Sequence, residues 1–161
     1  MNILHYAIEM EQEGEKFYRD QAEKNKNTHL QKICISLAED EKSHAGILQN
    51  KLNSLKFELK DTVLNTDYKS LFKEAEDIKI ESKEMPSQFD FYRRATEMEK
   101  KSIELYKDLL SKAQEDQEKE IFIFLIKQEE QHYELLDSLA EMLRKSEEWV
   151  EFAEFGMRDE Y

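Results

Sequence analysis

The segment LAEDEKSHAGIL, residues 37–48, decides the fold, because a close counterpart, LIKQEEQHYELL, occupies residues 125–136. In both, leucine steps onto glutamate and then histidine at helical intervals. Leu37, Glu41, His44 and Leu48 recur as Leu125, Glu129, His132 and Leu136. Spacings of 3 and 4 put each set on one helix face. Working outward, Leu30, Ile33, Leu52 and Leu55 extend the first stripe, and Phe122, Leu139 and Leu143 extend the second. Thr28 and Gln31 read as a capping box at the start of the first. Each of these helices has a partner upstream. Ile3, Ala7, Met10, Gly14 and Phe17 trace one that ends near Glu23; Phe91, Ala95, Met98, Ser102, Tyr106 and Leu109 trace another, starting at Pro86 and Ser87 and stopping near Gln114.

A shift of 88 residues superposes the two helical pairs without a gap. Ala7 falls on Ala95, Met10 on Met98, Glu11 on Glu99, Tyr18 on Tyr106 and Ile33 on Ile121, so the halves read as an internal duplication. Four long amphipathic helices imply an all-α protein, a four-helix bundle over residues 2–144 within a single domain, 1–161. Residues 56–88 are too long for a bundle loop. They suit a crossover that runs the length of the bundle and leaves helix three parallel to helix two, with a short helical pattern of its own at Leu71, Phe72, Ala75 and Ile78. Residues 145–161, with Trp149, Phe152, Phe155 and Tyr161, read as a short helical tail packed on the bundle or on a partner chain.

Composition agrees with long helices. The 161 residues include three glycines and one proline, against about 19 at average usage, which nearly excludes a protein of tight hairpins. Seventeen aromatic residues supply material for a core. The formal net charge of -13 repels phosphate backbones and anionic lipid, so neither nucleic acid nor membrane is an expected partner. The longest apolar run, Ile121 to Ile126, falls far short of the ~20 residues of a membrane span. The opening MNILHYAIEM shows no secretory pattern, and a soluble cytoplasmic protein is expected. A single cysteine, Cys34, excludes an intrachain disulfide and fits a reducing compartment. Its repeat partner is Phe122, so it reads as a small apolar packing residue.

The register of the acidic residues points to chemistry. Glu11 and Glu41 each lie 15 residues from the midpoint of the first hairpin near Lys26, and Glu99 and Glu129 each lie 15 from a turn near Gln114. All four carboxylates therefore reach one level, about 22 Å from the turns. Four carboxylates inside a bundle repel one another, and desolvation costs several kcal/mol for each. Two cations bound by Glu11, Glu41, Glu99 and Glu129 with His44 and His132 would offset that cost. The mixed oxygen and nitrogen set suits iron or manganese, and zinc would bind too. A wet polar layer without metal leaves the matched register unexplained. Tyr18 and Tyr106, seven residues after Glu11 and Glu99, are placed to brace a ligating carboxylate, though each also suits an ordinary core. Gly14 and Ser102 are small enough to leave room for an oxidant.

These residues resemble the ferritin-like superfamily, in which two helices give one Glu each and two give Glu-x-x-His. Here the latter are Glu41-x-x-His44 and Glu129-x-x-His132. Within it, Glu11-x-x-Gly14-x-x-Phe17-Tyr18 and the size of the domain resemble the rubrerythrin family, over residues 2–144. The resemblance implies two iron ions that reduce hydrogen peroxide or dioxygen with electrons from an external donor such as a rubredoxin-like protein. Typical rubrerythrins carry a rubredoxin-like domain holding iron with four cysteines, and this chain has only Cys34. They also place an additional ligating Glu three residues after the third-helix ligand, where this sequence has Ser102. The plain form with four Glu and two His is therefore expected, in a homodimer. Three alternatives stay open: a ferroxidase that handles iron, a manganese catalase chemistry, and a non-catalytic metal-binding interaction module that buries Ile121 to Ile126 against another chain.

Overall fold

Helix caps and turns set the ends of each element. The computed structural model describes residues 3–60 and 85–156, and among them lie four helices and no strand. These are α1 (Ile3–Lys24), α2 (His29–Leu52), α3 (Met85–Lys112) and α4 (Asp116–Gly156). None is long and apolar enough to cross a membrane.

The turn from α1 to α2 departs from the expected capping box. Thr28 is extended, but its hydroxyl donates to the Asn25 carbonyl at 2.5 Å and caps no amide of α2. Gln31 accepts instead from the Asn27 amide at 3.1 Å. Asn27 supplies the left-handed kink at φ 63°, a conformation that asparagine tolerates better than most residues. At the other end, α2 stops before Leu55. Ser54 adopts φ 57°, its amide and that of Leu55 bond back to Lys51 and Asn50, and Leu55 is left 57% exposed. Such closing bonds satisfy the carbonyls of a last helical turn.

The buried face of α1 keeps Ala7 and Gly14 of the expected stripe, packs Met10 and Phe17 partly buried at its edge, and takes in the residues beside them. Leu4, Ala7, Ile8, Glu11 and Tyr18 point inward, whereas Ile3 is 47% exposed. The stripes of α2 and α4 match the sequence pattern up to Leu48 and Leu143. Helix α3 begins at Met85, so the last residues assigned to the crossover are helical. The helical pattern expected at Leu71 to Ile78 lies outside the described residues. Helix α4 runs without interruption to Gly156, which makes residues 145–156 its continuation rather than a separate tail helix. The side chains of Trp149, Phe152 and Phe155, and the whole of Tyr161, lie outside the described residues.

Cross-helix contacts fix direction. Tyr18 bonds Glu99 while Tyr106 bonds Glu11, so α1 and α3 are antiparallel. His44 meets Gln128 while Asp40 meets His132, so α2 and α4 are antiparallel as well. Since α1 and α2 form a hairpin, α2 and α3 run parallel, as the crossover reading requires. The chain leaves α2 at one end of the bundle, where Phe57 and Leu59 pack beside Leu52, and enters α3 at the other, beside Phe91.

Two apolar clusters result. One gathers Tyr18, Leu30, Ile33, Leu37, Phe91 and Leu139 near the first turn; the other gathers Leu4, Leu48, Leu109, Ile121, Phe122 and Leu125 at the opposite end. In all four helices the residues between these clusters are the glutamates and histidines of the sequence motif. Of the run Ile121 to Ile126, only Ile123 is strongly exposed, at 57%. The rest packs within this chain, Phe124 only in part.

Candidate metal centre

The layer between the apolar clusters brings together all six residues singled out as ligands. Glu11, His44, Glu129 and His132 have no exposed surface, and Glu41 and Glu99 retain 4% and 2%. One ligand atom each from Glu11, Glu41, His44 and Glu129 fall within 4.8 Å of one another, and so do atoms from Glu41, Glu99, Glu129 and His132. Glu41 and Glu129 belong to both groups, so the layer contains two adjoining positions with shared carboxylates.

Geometry aims one nitrogen of each imidazole into this space. His44 Nδ1 lies 2.9 Å from Glu129 Oε1 and 3.4 Å from Glu11 Oε2. His132 Nδ1 lies 3.3 Å from Glu41 Oε1 and 3.4 Å from Glu99 Oε1. The two rings face each other with centroids 5.8 Å apart. Their outer nitrogens are held by residues absent from the sequence reading: His44 Nε2 by Gln128 Oε1 at 3.1 Å, and His132 Nε2 by Asp40 Oδ2 at 2.8 Å. An Nε2–H donating outward leaves Nδ1 as the inward lone pair. A signal for both was available. Asp40 and Gln128 each precede a motif glutamate and lie three residues after a stripe leucine, Leu37 and Leu125.

The tyrosines work across the bundle. The Tyr18 hydroxyl donates to Glu99 Oε1 at 2.5 Å, and the Tyr106 hydroxyl donates to Glu11 Oε1 at 2.5 Å. Each phenol thus braces the carboxylate of the other helix. Burial, followed by the charge of Glu99 or Glu11, pushes both phenols well above their ordinary range and keeps them donors. The second oxygens, Glu11 Oε2 and Glu99 Oε2, have no hydrogen-bond partner, nor have both oxygens of Glu129 and Nδ1 of His44 and His132. Six orphaned polar atoms in one buried layer are expensive. Divalent or trivalent cations are the partners this donor set fits.

Protonation shows the same strain. Burial, then the charges of Glu11 and Glu129, holds the Glu41 carboxyl well above the carboxylate range; burial and Glu129 do the same to Glu99. Burial disfavours the imidazolium, yet the carboxylates around them, Glu11 first for His44 and Glu99 first for His132, raise both histidines. Glu129 moves the opposite way. Burial would raise it, but the polar groups of Glu99, His132 and His44 crowded against it hold it well below the ordinary value. Without cations the layer keeps protons in their place.

Small side chains open one side. A cleft of about 600 Å³ between α1 and α3 reaches Glu41 and Glu99 past Gly14 and Ser102. A Cβ on Gly14 would sit 3.2 Å from Glu41 Oε2, so glycine allows that carboxylate its place. The Ser102 hydroxyl donates to the Met98 carbonyl at 3.1 Å and belongs to neither ligand group. Cys34 is fully buried in the apolar cluster, and burial pushes its thiol up to about 12.

A family model described as rubrerythrin matches residues 2–140. No curated protein and no solved structure matches the chain.

Proposed function

The chain belongs to the rubrerythrin family, and from that premise we propose that its buried layer holds two iron ions and reduces hydrogen peroxide or dioxygen with electrons from an external donor. The observation that carries this reading is the convergence of six orphaned atoms from Glu11, Glu99, Glu129, His44 and His132 in one buried layer. Glu11, Glu41, His44 and Glu129 would hold one ion; Glu41, Glu99, Glu129 and His132 would hold the other. Bound there, an iron pair supplies Lewis acidity and the electrons for a small oxidant.

The chain's own residues set the conditions. Asp40 and Gln128 fix the imidazole tautomers, and Tyr18 and Tyr106 each occupy one carboxylate oxygen so that the other turns inward. The flanking apolar clusters exclude bulk water, which strengthens every electrostatic interaction inside. The cleft beside Gly14 and Ser102 admits a ligand of few atoms to Glu41 and Glu99.

The test is metal content and near-ultraviolet absorption of protein loaded with Fe(II) without oxygen, before and after one equivalent of hydrogen peroxide. About two irons per chain that oxidise promptly are expected in the native chain, with iron content lowered and the prompt oxidation lost in Glu99→Ala and His132→Ala, each of which takes one ligand from the second group. Unchanged iron binding and peroxide consumption in those variants would sink the reading. A second reading treats Fe(II) as substrate, favoured by Glu13, Glu104 and Asp108 along the cleft, since carboxylates attract cations and are indifferent to peroxide. Repeated oxidation of Fe(II) added beyond the resident pair supports that reading, and oxidation that stops with the resident pair opposes it.

A further inference from the structure

Five pairs of residues related by the 88-residue repeat build the layer. Glu11 and Glu99, Glu41 and Glu129, His44 and His132, and Tyr18 and Tyr106 are identical pairs; Asp40 and Gln128 differ. That one difference sits directly behind the imidazoles. His132 donates from Nε2 to a carboxylate at 2.8 Å, and His44 donates to a neutral amide oxygen at 3.1 Å. Both acceptors are buried, Asp40 at 4% and Gln128 at 0% exposure, so solvent does little to even them out.

Hydrogen bonds to a charged acceptor are roughly twice as strong as neutral ones. A carboxylate behind an imidazole also makes the opposite nitrogen a better metal ligand, and loss of such a partner typically lowers affinity about 10–100-fold. We propose that Asp40 and Gln128 act as positioning residues that make the two cation positions unequal, the one served by Glu99 and His132 binding a divalent cation more tightly than the one served by Glu11 and His44. This rests on the two-cation reading of the layer. Filling is then ordered, and the His132 position loads first.

Because bound cations repel across shared carboxylates, two unequal steps in the native chain would not by themselves reveal this difference. Single-position variants do. Glu11→Ala leaves the ligand group containing His132 whole, and Glu99→Ala leaves the group containing His44 whole. Anaerobic equilibrium dialysis with Co(II), each variant checked for helical content by circular dichroism, should show Glu11→Ala binding one ion about 10-fold or more tighter than Glu99→Ala. Adding Asp40→Asn to Glu11→Ala should weaken that ion about 10–100-fold and leave the ion in Glu99→Ala nearly unmoved. Gln128→Glu added to Glu99→Ala should tighten its ion. Equal affinities in the two single-position variants, or an Asp40→Asn effect of the same size in both, would overturn the inference while leaving the centre in place. Failure of the folded native chain to bind Co(II) at all would overturn the centre itself.

Discussion

The two ends of the bundle and the layer between them obey opposite rules. At the ends, Leu37, Leu125 and Leu136 have no exposed surface and meet other apolar side chains, so burial itself stabilises the fold. In the layer, residues just as buried carry carboxylates and imidazoles, and burial works against them. The same helices therefore fold through their ends and gather candidate ligands in their middle. This contrast teaches which measurement belongs to which region: stability reports the ends, and cation affinity reports the layer.

The largest expected effect tests whether the layer opposes folding without cations. Glu41, Glu99, His44 and His132 all have raised pKa values in the folded chain. A raised group contributes stability that is fully present below its unfolded pKa and lost as pH rises through the folded one. That loss begins above 4.5 for the glutamates and above 6.5 for the histidines. Glu129, lowered, contributes stability above 4.5 that is lost as pH falls through its folded value. Above 4.5 the glutamates and then the histidines act alone, since the Glu129 contribution is constant there, so metal-free protein should lose stability from pH 5 to 8 in urea titrations with a chelator present. Metal-loaded protein should show the reverse slope, because cation binding requires the ligands deprotonated. Parallel slopes in the two states would erase the distinction between layer and ends.

Paired substitutions sharpen the same comparison at smaller scale. Leu125→Ala empties a fully buried site and should destabilise metal-free protein by about 2–5 kcal/mol. Glu41→Gln, in the layer and common to both ligand groups, should abolish cation binding and leave the metal-free fold as stable as before or more so, since burial and the charges of Glu11 and Glu129 already disfavour its ionised form. Next in size, Tyr18→Phe and Tyr106→Phe each remove one hydroxyl donor to a buried carboxylate, a change expected to be about 1–3 kcal/mol. Their effects should match each other, because the repeat relates the two bonds. A difference well above 1 kcal/mol would show that the unlike surroundings of the two rings, Phe91 beside Tyr18 and Phe122 beside Tyr106, reach the bonds themselves.

Much of this was legible because helical period and repeat are both features of spacing. The 88-residue register placed Glu11, Glu41, Glu99 and Glu129 at one level, and the structure places them so. Identity between the repeats marks the ligands and the tyrosines but not Asp40 and Gln128, a matched pair of unlike residues that share the task of accepting from an imidazole. Caps were harder to read. Thr28 and Gln31 have the residue types of a capping box, but a turn only a few residues long recruits the Thr28 hydroxyl for the Asn25 carbonyl instead. The stripe through Leu55 failed for a related reason: three-residue spacing persists in sequence after Ser54 has already turned the backbone out of the helix.

That turn offers the smallest and most selective probe. Ser54 holds φ 57° and Asn27 holds φ 63°, yet the two residues differ in what the left-handed region asks of them. A side chain there generally costs about 1–2 kcal/mol, and asparagine is better tolerated. Glycine is free of that cost but loses more backbone entropy on folding, by about 0.5–1 kcal/mol. Ser54→Gly should therefore raise metal-free stability by a few tenths to about 1 kcal/mol, read in urea titrations, and Asn27→Gly should gain less or nothing. Both positions lie in turns at the ends of the bundle, outside the ligand groups. If ends and layer are independent, Co(II) affinity in both variants will equal that of the native chain; a shift of several-fold would mean that the positions of the six ligands depend on strain held in the turns.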